Sequence, residues 1–162
     1  MNEKLNDLLS IITRHTENTF ASIDILFDFY SEKDFTEVIN GFPVWQQFYH
    51  MLNSIDRIFI YPIDYEYPEF HKENMNNPEV KSENQLNKNT LLQYYLEIKR
   101  NVRKYLSNIN EDELYLRSNH KTISMTKLDH ILAQLRHIAW HLGYLHSCAK
   151  AKYGEKPEHI LI

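Results

Sequence analysis

Apolar residues recur at helical spacing along almost the whole chain, which limits the fold to helices packed against one another. The pattern marks four segments: residues 2–30, 44–60, 90–107 and 126–154. Thr126, with Asp129 three residues later, forms a capping-box pattern at the start of the last segment. The chain of 162 residues is long enough to bury one self-sufficient core. We therefore predict an all-α fold, in which residues 1–162 form a single four-helix-bundle domain.

A long connector at residues 61–89 separates the second helical segment from the third. Pro62, Pro68 and Pro78 interrupt it, and a loop of this length is uncommon unless it crosses the molecule or covers a site. A helix of about 18 residues is about 27 Å long, and the extended connector can span that distance. An up-down-down-up bundle with a crossover between helices two and three is therefore permitted, although an antiparallel arrangement with a flexible loop stays open. The aromatic residues of the connector predict that it packs on the bundle.

The last helical segment carries several histidines on one face. They are His130, His137 and His141, with Gln134 between the first two. Spacings of four, three and four residues place these side chains above one another, beside an apolar stripe. Imidazoles at the edge of a buried face are what a metal site inside a helix bundle requires. The alternative is that these histidines bind no metal. Nine histidines in 162 residues make one i, i+4 pair a common coincidence. Ile138 follows His137, so the glutamate of a zinc-metalloprotease motif is absent.

The second helical segment offers one further histidine, His50, beside its apolar stripe. Its neighbours on that flank are Gln46, Asn53 and Arg57. Because these neighbours are polar, the helical wheel favours a His50 that faces water. In the other interpretation, a bundle helix presents two flanks to two neighbours, and this flank lines a pocket shared with the last helix.

Composition argues against several classes of function. A net charge of −4 and a pI near 6.1 argue against a nucleic-acid-binding surface, and the three glycines form no phosphate-binding loop. The single cysteine, Cys148, suits a reducing compartment. The first residues lack the apolar core of a signal peptide, and no apolar run approaches the length of a membrane span. We expect a cytoplasmic protein that binds neither nucleic acid nor membrane.

Several segments resemble the DinB/YfiT-like superfamily, bacterial four-helix bundles described as metal-dependent. The similar segments are HMLNSIDRIFI after Trp45, QLRHIAWHLGYL in the last helix, the loop after IYP, and the ending YGEKP. The resemblance implies the up-down-down-up topology, a homodimer, and a metal site made by one histidine of the second helix and an HxxxH pair of the fourth. Matched residue by residue, these ligands are His50, His137 and His141. The chemistry that it implies is transfer of, or isomerisation with, a low-molecular-weight thiol cofactor.

Three neutral imidazoles that leave positions for water or substrate are typical of a catalytic metal site. Imidazole suits zinc, nickel, copper and iron, and we expect zinc or nickel as the divalent cofactor. The expected function is that of a metal-dependent enzyme, a thiol-dependent transferase or isomerase or else a hydrolase, with a small-molecule substrate. One alternative is a non-catalytic stress-response bundle that binds metal or another ligand. The other is a structural protein whose histidines are incidental.

Further polar residues have possible roles around such a site. Those that could orient a second substrate are Tyr49, Asn53, Arg57 and Gln134. His130 and Gln134 precede His137 by two turns and one turn, where they could contact the ligands or add one.

The remaining candidates have competing structural explanations. His15 lies in the apolar stripe of the first helix and is either a core histidine or a ligand contact. His71, in the connector, is either a structural residue or part of a lid. We expect Cys148 to pack without reacting, and packing to account for Gly143 inside the last helix. The residues expected at the surface are His120, His146 and His159.

Overall fold

A computed structural model describes residues 7–62, 64–119, 124–155 and 157. The elements follow in the order α1 (Leu8–Phe29), α2 (Glu32–Thr36), β1 (Val38–Ile39), β2 (Phe42–Pro43), α3 (Val44–Ser54), a π-helical segment (Ile55–Phe59), α4 (Lys88–Asn108), α5 (Glu111–Leu114) and α6 (Lys127–Tyr153). The all-α class is confirmed, since the two strands form only a short hairpin. In the described ranges, no helix combines the length and the apolar character needed to cross a membrane.

The four long helices pack against one another in pairs. α1 contacts α4 and α6, and α3 contacts the same two helices. The apolar stripe predicted for α3 and its π-helical continuation is buried throughout, at Trp45, Phe48, Leu52, Ile55 and Phe59. Periodicity therefore identified the core-facing side of this helix correctly.

The ends of the long helices agree with the sequence signals. α1 begins after Asp7, whose carboxylate accepts a hydrogen bond from the backbone N–H of Ser10; the earlier part of the predicted helix lies outside the described residues. At the start of α6, Thr126 and Asp129 form the predicted capping box. α6 ends at Tyr153 and is capped by Gly154, whose φ of 75° is the left-handed conformation that favours glycine.

Two features before and after α3 were not predicted. Asn40 and Gly41 have φ angles of 53° and 94°, the left-handed pair that a tight hairpin turn requires. The Asn-Gly dipeptide was the available signal for the hairpin that leads into α3. The helix predicted to run to residue 60 changes to π-helix at Ile55, and Tyr61 then adopts a positive φ of 52° before Pro62.

The connector packs on α3, as predicted. Gln46 is fully buried, and its Nε2 donates to the carbonyl oxygens of Asn74, Asn77 and Val80 at 3.2, 2.9 and 2.7 Å. Its Oε1 accepts a hydrogen bond from the backbone N–H of Ser82 at 3.1 Å. One side chain of α3 thus contacts four backbone groups of the connector.

Contacts from the preceding elements hold the C-terminal half of α6. The hydroxyl of Tyr30 donates to the carbonyl oxygen of Leu145 at 2.6 Å, and Lys152 and Tyr153 both bond the buried carboxylate of Asp34. Burial by itself would raise the pKa of Asp34, but hydrogen bonds from these two side chains outweigh it and hold the pKa below its usual value. These contacts fasten the helix that carries the histidine stripe.

Packing does not account for Gly143, contrary to the expectation from the sequence. The residue is exposed on α6, and a Cβ atom added there would meet nothing within 4 Å. A glycine in a helix interior costs about 1 kcal/mol relative to alanine because it loses more backbone entropy on folding.

We therefore predict that Gly143→Ala raises the free energy of unfolding by about 1 kcal/mol, measured by denaturant titration. Ala139→Gly, at another exposed position of α6, is the matched control and should lower it by a similar amount. A Gly143→Ala protein that is less stable than the wild type would contradict the open surface described at this position.

Candidate metal centre

Three histidines from two helices converge on one region. His50 comes from α3, and His137 and His141 come from α6. Each offers a ring nitrogen, and the three nitrogens lie within 4.8 Å of one another. His141 is buried, whereas the other two are half-buried. The structure thus brings together the three residues selected from the sequence, and the cluster could hold a metal ion.

The pair on α6 owes its geometry to helical spacing. Residues i and i+4 lie one above the other on a helix, and Nε2 of His137 is 3.0 Å from Nε2 of His141. Two ligand atoms that each lie about 2.0–2.1 Å from one zinc ion are roughly 3.0–3.4 Å apart. The separation of the two nitrogens therefore fits two ligands of a common ion.

Hydrogen bonding alone does not satisfy this pair. The Nδ1 atoms of His137 and His141 are buried and have no hydrogen-bond partner in the part of the chain that the structure describes. Buried polar atoms are nearly always paired, and an exception indicates a functional role or a bound species. The two Nδ1 atoms are not the Nε2 atoms that face each other, so an ion bound at Nε2 would leave them unpaired; the three-imidazole donor set is what fits a cation site.

Burial keeps the two rings on α6 uncharged. It lowers the pKa of His137, and nearby His50 lowers it further. For His141, burial, followed by the charges of His137 and His50, lowers the pKa to about 3. Both imidazoles are therefore neutral at pH 7, which is the state that binds a metal ion.

The structure corrects the placement of His50 that the helical wheel favoured. Its ring does not face bulk water but lies 4.7 Å from the His141 ring, centroid to centroid. The physical reason is that α3 is buried on nearly every side, with Gln46 at 0% and Asn53 at 3% exposure. A polar flank on such a helix bonds to the connector and to α6, so polarity was a poor guide to exposure.

His130 and Gln134 lie outside the three-histidine cluster. The Nε2 atom of His130 is 2.7 Å from Oγ of Ser118, and its ring packs 4.7 Å from Tyr61. Gln134 is buried and accepts a hydrogen bond from Oγ of Ser54 at 3.1 Å. Both therefore tie α6 to neighbouring segments.

Three of the four candidates for orienting a second substrate, Tyr49, Asn53 and Arg57, bond to the connector. The Tyr49 hydroxyl is 2.7 Å from Nδ1 of His71, and the Tyr67 ring stacks on His71 at 4.1 Å. Arg57, which is exposed, donates to the Tyr67 hydroxyl at 3.4 Å. In this structure these groups join α3 and its π-helical continuation to the connector.

The other candidates do not belong to the three-histidine cluster found among the described residues. His15 is half-buried, and so is His146, which was expected at the surface; His120 and His159 lie outside the described residues. Cys148 is buried, and burial raises the pKa of its thiol. A raised pKa keeps the sulfur protonated at neutral pH and is typical of a packing role.

Sequence reasoning missed one residue beside the cluster. The backbone carbonyl of Asn76 lies 2.7 Å from Nδ1 of His50. A carbonyl contact leaves no side-chain signature, and the only available sign was an asparagine-rich stretch, ENMNNP, in the connector.

No protein-family model matches the chain, and it matches neither a curated protein nor a solved structure. The histidine cluster and the resemblance in sequence are therefore the grounds for a functional proposal.

The lowered pKa of His141 predicts how the stability of the metal-free protein depends on pH. Below pH 6.5 the unfolded chain protonates this histidine, whereas the folded chain does not until about pH 3. Stability is therefore lost as the pH falls, and His141 alone should remove about 2 kcal/mol of the free energy of unfolding between pH 7 and pH 5. Denaturant titrations in chelator should show a smaller loss for His141→Gln than for the wild type. Equal losses of stability in the two proteins would show that burial does not shield the His141 ring from protonation.

Proposed function

We propose that this chain is a metal-dependent protein of the DinB/YfiT-like type. His50, His137 and His141 hold a divalent cation, zinc or nickel, and the bound ion activates a low-molecular-weight thiol for transfer or isomerisation. The observation that carries the proposal is the convergence of three ring nitrogens from two helices within 4.8 Å. The resemblance of the same segments to that superfamily supports it.

The same proposal includes the topology of the helix bundle. α1, α3, α4 and α6 form an up-down-down-up four-helix bundle, and the connector is the crossover between α3 and α4. The connector of residues 61–89 is long enough for that crossover, and α1 and α3 each pack against both α4 and α6. The resemblance also implies a homodimer, and the single cysteine suits a reducing cytoplasm. Exposed apolar side chains on α6, Leu132 at 51% and Trp140 at 67%, are consistent with a partner surface.

The three histidines form an open set of nitrogen ligands. Within the described residues the cluster has three protein ligands, so a four-coordinate ion would keep one position for a substrate. When bound, such an ion acts as a Lewis acid that lowers the pKa of a coordinated thiol or water. His141 is buried and His50 and His137 are half-buried, and the exposed Trp140 ring lies 4.9 Å from the His141 ring.

We predict that untagged protein, stripped with a chelator, binds one zinc or nickel ion per chain in calorimetric titration. His50→Ala and His137→Ala should each weaken binding by about 100-fold or more, because even groups that only orient a ligand contribute about 10–100-fold. His146→Ala is the matched control, since His146 is half-buried on α6 outside the cluster. The proposal fails if the wild type binds no ion, or if His50→Ala binds as tightly as the wild type.

The catalytic part of the proposal has its own test. The metal-loaded protein should accelerate conjugation of a small electrophile to a low-molecular-weight thiol, and chelation should abolish that rate until zinc or nickel is restored. Unchanged turnover without metal would reject the mechanism. Tight metal binding without turnover of any thiol tested would favour the non-catalytic bundle instead.

A further inference from the structure

The ring of His50 is oriented by the backbone of the connector. Nδ1 of His50 lies 2.7 Å from the carbonyl oxygen of Asn76. A carbonyl can only accept a hydrogen bond, so Nδ1 of the neutral ring must carry the proton and donate. The other nitrogen, Nε2, then carries the lone pair and is the atom that can bind a cation.

A side-chain hydrogen bond holds Asn76 over α3. Nδ2 of Asn76 donates to Oδ1 of Asn53 at 2.9 Å, and Asn53 is only 3% exposed. Nδ2 of Asn53 in turn donates to the Tyr65 hydroxyl at 2.8 Å, which donates to the carboxylate of Asp56 at 3.1 Å. A continuous chain of hydrogen bonds thus runs from Asp56 to His50.

The backbone on both sides of Asn76 is also fixed. Gln46 binds the carbonyl oxygens of Asn74 and Asn77, and the intervening Met75 side chain is 1% exposed. Gln46, His50 and Asn53 are separated by four and three residues, so they lie on one face of α3. The face of α3 that carries His50 therefore also bonds the connector segment that orients the His50 ring.

We propose that Asn76 and Asn53 are positioning residues for the metal centre. Asn76 fixes the tautomer and direction of the His50 ring through its backbone carbonyl, and Asn53 holds Asn76 in place. Their role at the metal rests on the proposed function, whereas their effect on the His50 tautomer does not. Helical spacing aligns the two histidines of α6, but His50 comes from a different helix and needs a separate constraint. Partners that orient metal-binding histidines typically contribute about 10–100-fold to metal affinity.

The test compares Asn76→Ala with Asn77→Ala in the full chain. Asn76→Ala removes the bond to Asn53, whereas Asn77→Ala alters an equally half-buried asparagine whose backbone carbonyl still bonds Gln46. The first readout is the nitrogen-15 spectrum of the histidine rings in metal-free protein, which distinguishes the two tautomers. The second is the zinc dissociation constant by calorimetry, with thermal unfolding as a check on folding.

We expect His50 of the wild type and of Asn77→Ala to be protonated at Nδ1. In Asn76→Ala it should become a mixture of tautomers, and zinc affinity should fall by about 10–100-fold. Asn76→Asp, which is nearly the same size but in its ionised form cannot donate to Asn53, provides a second variant and should act in the same direction. A merely structural role of Asn76 would change the unfolding temperature without changing the tautomer.

Two results would overturn the proposal. One is a wild-type His50 protonated at Nε2; the other is a folded Asn76→Ala protein whose tautomer and zinc affinity equal those of the wild type. Failure of the proposed function gives a different result. In that case the wild type shows the Nδ1 tautomer, which Asn76→Ala disturbs, and yet binds no zinc.

Discussion

The site depends on two imidazole rings that lie one helical turn apart on α6 and are shielded from water. Helical spacing places Nε2 of His137 3.0 Å from Nε2 of His141, and burial lowers the pKa of both rings so that they stay uncharged. The residues one and two turns earlier on the same face, Gln134 and His130, bond to Ser54 and Ser118 instead. A third imidazole therefore has to come from another helix, and α3 supplies His50.

Burial of α3 couples that third ring to the connector. A helix enclosed on nearly every side must satisfy its polar side chains internally, because an unpaired buried polar group is costly. Gln46 and Asn53 meet this need by bonding the connector, and the Asn76 carbonyl meets it for His50. The long loop thus stabilises the polar flank of α3 and orients the histidine on it.

Much of this arrangement could be predicted from the sequence, because the signals were local. Periodicity identified the helices and the core face of α3, and Thr126 with Asp129 marked the start of α6. The HxxxH pair followed from spacing alone. The direction in which the His50 side chain points did not follow from spacing, because it depends on which elements surround α3. His50 was selected as a ligand because of the family resemblance. The up-down-down-up topology and the homodimer stay predictions.

X-ray absorption at the metal edge tests the central claim, that one ion is held by three imidazoles from two helices. The scattering of zinc-loaded protein counts imidazole ligands through their outer-ring atoms. We expect three imidazoles per zinc in the wild type and two in His50→Ala, with no change in His146→Ala. The same count in the wild type and in His50→Ala would contradict it, because the ring from α3 would then lie outside the coordination sphere.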